Sequence, residues 1–180
     1  MNIKTPTAAL NRLDPDEARA FEKQPLYVVL EDIRSAQNVG SIFRTMDAFQ
    51  GAEIWLCGIT AVPPHREIQK TALGATETVK WRYFPEISSA IADLKIRNIP
   101  LFAFEQSSGS LSFSDTSFTS MRPLAIAFGN EVDGVSQELI NRSAGTIEID
   151  QYGAKHSLNV SVCAGIAIWH ITNAWKKSEL

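Results

Sequence analysis

The sequence predicts an α/β domain: a mostly parallel sheet of six strands with helices on both faces. Three observations carry this. Short apolar runs recur along the 180 residues, and stretches with helical periodicity separate them. The strongest of these runs lie within 26–32 and 123–129, where LYVVL and LAIAF are unbroken by charge, as strands covered on both faces require. Strands that alternate with helices build parallel βαβ units.

Residues 1–25 are polar and charge-balanced and read as an N-terminal extension before a domain over 26–180. Asp14 is placed to cap a helix over 15–22, with Pro15 at its first position. LYVVLED (26–32) is the first strand. Ser35-Ala36-Gln37-Asn38 leads into a helix whose Val39, Ile42, Phe43, Met46 and Phe49 share an arc of roughly 120°. Gln50-Gly51 ends it. AEIWLCGI (52–59) is the second strand, TAVPPHRE a loop, and REIQKTALG (66–74) a short helix stopped at Gly74. TVKWRYF (78–84) is the third strand. Pro85 opens a helix over 85–98, and IPLFAFE (99–105) is the fourth strand.

The segment 106–120 is rich in Ser and Thr and reads as a surface loop. PLAIAFG (123–129) is the fifth strand, 135–143 a short helix, and TIEID (146–150) the sixth strand. The last helix runs from about Ser157 to Lys176. It is apolar nearly all the way round, so it needs cover from the sheet and from a second surface.

Composition narrows the function classes. Apolar residues make up 44% and charged residues 21%, which fits a globular domain and excludes collagen, coiled coil and disulfide scaffolds. Net charge is −3, so a nucleic-acid partner would have to be met by a local patch. The N-terminus carries acids and lacks an apolar core, so it does not read as a signal peptide. No stretch approaches a membrane span. A soluble cytoplasmic protein is the expectation. Cys57 and Cys163 sit in apolar runs and read as buried free thiols. His65, His156 and His170 match no metal-ligand spacing, and no metal is expected. There is neither a dinucleotide fingerprint nor a P-loop.

Ligands bind outside the carboxyl ends of strands in such sheets. Three polar clusters fall there: Gln37 through Arg44, Gly129-Asn130-Glu131, and Gly153 through Asn159. Each has an ordinary alternative. Asn38 can be a helix N-cap, and 129–134 has the chemistry of a turn. Ser157 can cap the last helix, while capping leaves Asn159 unexplained. Asn159, His170 and Asn173 share one side of that helix, as a polar interface stripe would. Arg44 stands roughly 160° from the apolar arc of its helix. It is either a solvated arginine or a guanidinium offered to a phosphate.

Taken together, NVGSIFRT (38–45), LAIAFGNEVDGVS (124–136) and IDQYGAKHSLNVSVCAG (149–165) resemble the three motifs of the SpoU (TrmH-type) RNA ribose 2′-O-methyltransferases, of the SPOUT superfamily. The resemblance covers about residues 26–175. Asp150-Gln151 stand where the family pattern has Pro-Met. The resemblance implies a deep trefoil knot near the carboxyl end, S-adenosylmethionine as methyl donor, and a ribose 2′-hydroxyl of tRNA or rRNA as acceptor. It implies catalytic roles for Asn38, Arg44, Glu131, Ser157 and Asn159. It maps cofactor contacts to Phe104, Gly129, Asn130, Ile149, Ser157 and Leu158, largely through backbone. Arginine keeps its proton far above neutral pH, so Arg44 fits a phosphate clamp better than a base. Arg44, His65, Arg66, Lys70 and Lys155 are the expected RNA contacts. A homodimer through the helix 157–175 is implied, with Trp169 or Trp175 near the contact. The alternative is a knotted protein that binds RNA or S-adenosylmethionine without catalysis. That alternative predicts a damaged motif, and all five catalytic positions are intact.

Overall fold

The computed structural model describes residues 2–6, 15–155 and 157–179. Its strands are β1 (Gln24–Glu31), β2 (Gly51–Cys57), β3 (Lys80–Phe84), β4 (Leu101–Phe104), β5 (Leu111–Ser112), β6 (Leu124–Phe128) and β7 (Gly145–Glu148). They form one sheet in the order β3-β2-β1-β6-β4-β7-β5. Every pairing is parallel. The helices are α1 (Pro15–Ala20), α2 (Ala36–Ala48), α3 (Arg66–Ala72), α4 (Ala75–Thr78), α5 (Ile87–Ile96), α6 (Gln137–Arg142) and α7 (Val160–Ser178).

Both faces of the central strands are covered, which is why β4 and β6 are apolar throughout. In β1, Val28 and Leu30 enter one core while Val29 enters the other, as the two-residue repeat of a strand dictates. Helices α2, α3 and α7 cover the first face through Val39, Phe43, Ile68, Ala164, Ile168 and Trp175. Helices α5 and α6 cover the second through Ile91, Leu94 and Leu139. Strand β6 lies between β1 and β4, and β7 between β4 and β5, so the last two strands are set among earlier ones. Among the described residues no helix is long and apolar enough to cross a membrane.

The sheet has seven strands where the sequence indicates six. The addition lies inside the serine-rich segment, where Leu111 and Ser112 pair with Ile147 and Glu148. Side-chain hydroxyls stitch this segment to the β7 edge. Ser107 meets Thr146 at 2.6 Å, Ser110 donates to the Glu148 carboxylate, and Ser112 and Ser114 donate to Asp150 at 2.7 and 3.0 Å. Phe113 and Phe118 are buried beneath it. These bonds join residues 36 to 39 positions apart, which local periodicity cannot reveal. They also give Asp150 its place. Ser112 and Ser114 hold its carboxyl below the usual range.

Local boundaries differ for identifiable reasons. The Asp14 cap lies outside the described residues. Helix α3 ends at Ala72; Leu73 takes the left-handed conformation at φ 51°, and Gly74, at φ 93°, opens the single turn α4. That turn delays β3 to Lys80. Ser35, not Asn38, caps α2: its hydroxyl accepts from the Asn38 N–H at 3.3 Å. Helix α7 starts at Val160, and Asn159 caps it in place of Ser157, accepting from the Ser161 and Val162 N–H groups at 2.9 and 3.4 Å.

Helix α7 is less evenly wrapped than its composition indicates. Trp175 is fully buried, its indole N–H donating to the Phe118 carbonyl at 2.8 Å, so it is unavailable to a partner. His170 packs on Phe113 with ring centroids 4.7 Å apart, which removes it from a polar stripe. The outward face carries Val162, Ile166 and Trp169, all exposed, within an arc of about 60°.

Candidate active site

The carboxyl ends of β4, β6 and β7 and the start of α7 enclose a cavity of about 400 Å³. Its inner wall is aromatic. Phe104, at the end of β4, stacks on Phe128, at the end of β6, with centroids 5.1 Å apart. Ile147, Ile149, Leu158 and Cys163 continue the apolar lining. The polar side is formed by 129–134, whose two glycines are required by packing. A Cβ on Gly129 would overlap the Gly134–Val135 peptide. Gly134 has φ +70°, and a Cβ there would run into the Glu105 carboxylate.

All six expected cofactor residues line this one cavity: Phe104, Gly129, Asn130, Ile149, Ser157 and Leu158. The Asn130 side chain is occupied within the fold. Its Nδ2 donates to the Asp32 carbonyl at 2.9 Å and its Oδ1 accepts from the Val132 N–H at 2.8 Å, an Asx turn that shapes the wall. Only its remaining surface faces the cavity.

Glu131 and Asn159 line the same cavity, and a hydrogen-bonded chain joins them through Asn38. The Glu131 carboxylate accepts from the backbone N–H groups of Arg34 and Ser35 at 2.9 and 3.1 Å, and from Asn38 Nδ2 at 2.9 Å. Asn38 Oδ1 accepts in turn from Asn159 Nδ2 at 3.2 Å. One network therefore ties the β1–α2 turn, the β6 end and the α7 cap. Partial burial pushes the Glu131 carboxyl up, but the bonds from Arg34, Asn38 and Ser35 outweigh it, and the group sits below the ordinary glutamate range. An anion already holding three donors is suited to positioning and poorly suited to taking a proton.

Arg44 is not part of this network. It is exposed, without a hydrogen bond or ion pair among the described residues, and stands about 120° around α2 from Asn38. The expected RNA contacts divide. Gly40 lets α3 approach α2, because a Cβ there would overlap the Thr71 hydroxyl and the Ile68 carbonyl. Thr71 donates to the Gln37 carbonyl at 3.0 Å. This sets His65, Arg66 and Lys70 beside the start of α2. His65 caps α3, its Nδ1 accepting from the Glu67 N–H at 3.2 Å. Lys70 pairs with Glu67 at 2.6 Å. Arg66 and Lys155 are exposed and have no polar partner among the described residues.

Glu105, Phe128, Ile147 and Cys163, which are not among the residues expected at the site, also line the cavity. Glu105 carries the same signal as Glu131, a carboxylate directly beyond an apolar strand. The Cys163 thiol is pushed up to about 12, first by burial and then by the Glu105 charge. It is therefore a neutral wall group at physiological pH.

An all-parallel sheet of this order, with a cavity fed by three strand ends and a helix cap, defines an α/β domain with a small-molecule-sized site at its strand ends. Residues 25–169 match the SpoU rRNA Methylase family, and the chain belongs to that family. It is 32% identical over 159 residues to the tRNA (guanosine(18)-2'-O)-methyltransferase of Thermus thermophilus, covering 88% of this chain and 80% of that protein. The A. aeolicus TrmH/SpoU tRNA modifying enzyme has the same fold, with a TM-score of 0.81 at 23% identity over 92% of this chain and 82% of that one. An AdoMet-bound rRNA methyltransferase from Sinorhizobium meliloti superposes with a TM-score of 0.78 at 25% identity, over 87% of this chain and 59% of that one.

Proposed function

We infer that the protein is an S-adenosylmethionine-dependent RNA methyltransferase that acts on a ribose 2′-hydroxyl. The observation that carries this is the Glu131–Asn38–Asn159 chain, which ties the first motif segment to two residues of the other segments that line the cavity. The cavity fits the donor. Its volume of about 400 Å³ lies within the usual range for small-molecule sites, and its wall combines aromatic faces with strand-end backbone. When bound, S-adenosylmethionine supplies a methyl group already attached to a good leaving group.

The protein's own task is then positioning and water exclusion. Phe104 and Phe128 wall one side, and the backbone at Gly129, Ile149 and Leu158 offers N–H and C=O groups to a purine edge. Asn38, fixed by Glu131 and Asn159, orients the acceptor ribose. Ser157 is exposed at the rim, where its hydroxyl reaches substrate. Arg44 clamps an RNA phosphate through its planar fork. The 2′-hydroxyl proton passes to the substrate's own phosphate, because Glu131 already holds three donors and arginine stays protonated.

Transfer RNA is the substrate supported best, by the likeness to the tRNA (guanosine(18)-2'-O)-methyltransferase of Thermus thermophilus. Ribosomal RNA, named for the Sinorhizobium protein, is the second outcome. Arg66 and Lys155, exposed and without a polar partner among the described residues, support an RNA surface beside the cavity, with His65 and Lys70 at its edge. A cytoplasmic place of action is in keeping with these substrates. The exposed Val162–Ile166–Trp169 face of α7 supports a homodimer closed there. The placement of β6 and β7 among earlier strands supports a knotted carboxyl-terminal segment. The identifying experiment maps ribose 2′-O-methylation across total RNA of a deletion strain and its parent. One tRNA position lost on deletion is expected. A loss confined to rRNA redirects the substrate, and an unchanged methylation map refutes the reading.

A further inference from the structure

Glu105 is the first residue beyond β4. Its N–H donates to the Ile147 carbonyl at 3.1 Å, carrying the sheet ladder one residue past the strand. Its carboxylate accepts from the Val135 N–H at 3.0 Å through one oxygen and from the Gln106 N–H at 2.8 Å through the other. Those bonds fix both oxygens at the cavity wall, and the turn at Gly134 is built closely around them. Cys163 on α7 lines the same cavity, where burial first and the Glu105 charge second push its thiol up.

Among the described residues the charge has no basic counterpart at the cavity. Glu131 and Glu148 also line the cavity, the first held by three donors and the second by Ser110. Among the described lining residues there is no lysine or arginine, and Glu105 makes no ion pair among the described residues. The cavity is therefore an anionic environment around an apolar floor. A site of that kind favours a ligand with one more positive charge over an otherwise identical one.

We propose that Glu105 makes this cavity select S-adenosylmethionine over its demethylated product by charge, so that the spent cofactor is bound more weakly than the donor. The proposal rests on reading the cavity as the cofactor site. Donor and product differ by the transferred methyl. Its bond to sulfur breaks, the sulfur keeps the electron pair, and the ligand loses one positive charge. The new carbon–oxygen bond forms at the ribose, whose proton leaves through the phosphate to solvent. Selection of this sense discharges product without a conformational step.

Calorimetric titration of S-adenosylmethionine and S-adenosylhomocysteine into wild type and Glu105→Gln tests it. Wild type is expected to bind the donor roughly tenfold more tightly than the product. The variant is expected to narrow that ratio to under about threefold, by weakening the donor and sparing the product. A role confined to holding the 129–135 turn would weaken both ligands by the same factor, and an unchanged ratio overturns the proposal. Raising salt from about 0.05 to 0.5 M on wild type gives a second readout that needs no variant: the ratio should fall as the charge is screened. A salt-independent ratio also overturns it. If wild type binds neither ligand, the cofactor reading itself is refuted, and this inference with it.

Discussion

Glu131→Gln tests the network that joins the three loops. The carboxylate accepts from two backbone N–H groups and from Asn38 Nδ2, at 2.9 to 3.1 Å. Glutamine keeps the shape and one acceptor oxygen. Its amide NH₂ must face the N–H groups that the second oxygen served, so one or two bonds are lost. At about 0.5–1.5 kcal/mol net for each bond, and with water able to reach the site, the expected cost is about 1–2 kcal/mol. For a domain of this size that lowers the melting temperature by roughly 2–8 °C. The pH dependence has a definite sign. A carboxyl held below its ordinary value stabilises the fold above that value, and the contribution is lost as pH falls through the folded-state value. The difference between wild type and variant should be full at pH 7 and shrink on acidification below about 4. Denaturant melts at pH 7, 5 and 3.5 measure it. Combining Glu131→Gln with Asn38→Ala should show a coupling of at least about 0.5 kcal/mol. Equal stability at pH 7, or a difference that grows in acid, would refute this account of the network.

Four further outcomes follow from the geometry. Arg44→Ala should lower single-turnover methylation more than tenfold, about 1.4 kcal/mol, and leave donor affinity within about twofold, while Arg44→Lys recovers only part of the rate. An alanine variant with over about half the wild-type rate would remove the clamp. Gly40→Ala drives a methyl into the Thr71 hydroxyl and the Ile68 carbonyl and should cost about 1–3 kcal/mol, read by chemical denaturation. Cys163, with its thiol at about 12, should resist iodoacetamide at pH 8 in the native protein and react on unfolding; labelling at the rate of a free thiol would contradict its placement. Trp169→Glu should convert a dimer to a 20 kDa particle in light scattering, whereas a wild type that is already that size at micromolar concentration contradicts the dimer.

Much of the fold is legible because both faces of the sheet are covered. Continuous apolar runs such as 123–129 then mark strands without ambiguity. The motif positions near the cavity are legible for the same reason, since they follow those runs directly. Strand β5 is not, because two residues inside a serine-rich stretch carry no period and gain their pairing from hydroxyls meeting Thr146, Glu148 and Asp150. The capping assignments also escape the sequence. Ser35 and Asn38, or Ser157 and Asn159, are chemically equivalent candidates two or three positions apart, and only the backbone decides between them. Glu105 carries a readable signal, a carboxylate at a strand end, but lies outside the three motif segments. Helix α7 looked uniformly apolar because composition does not tell the buried Trp175 from the exposed Trp169.

The central claim is methyl transfer from S-adenosylmethionine to a ribose 2′-hydroxyl. The most direct measurement incubates the purified protein with methyl-labelled S-adenosylmethionine and unmodified tRNA, digests the RNA to nucleosides and identifies the labelled species by mass spectrometry. Label is expected in a single 2′-O-methylnucleoside, formed only with active protein and sharply reduced by Arg44→Ala. Label on a base, or none on tRNA or rRNA under conditions where the donor binds, would contradict it.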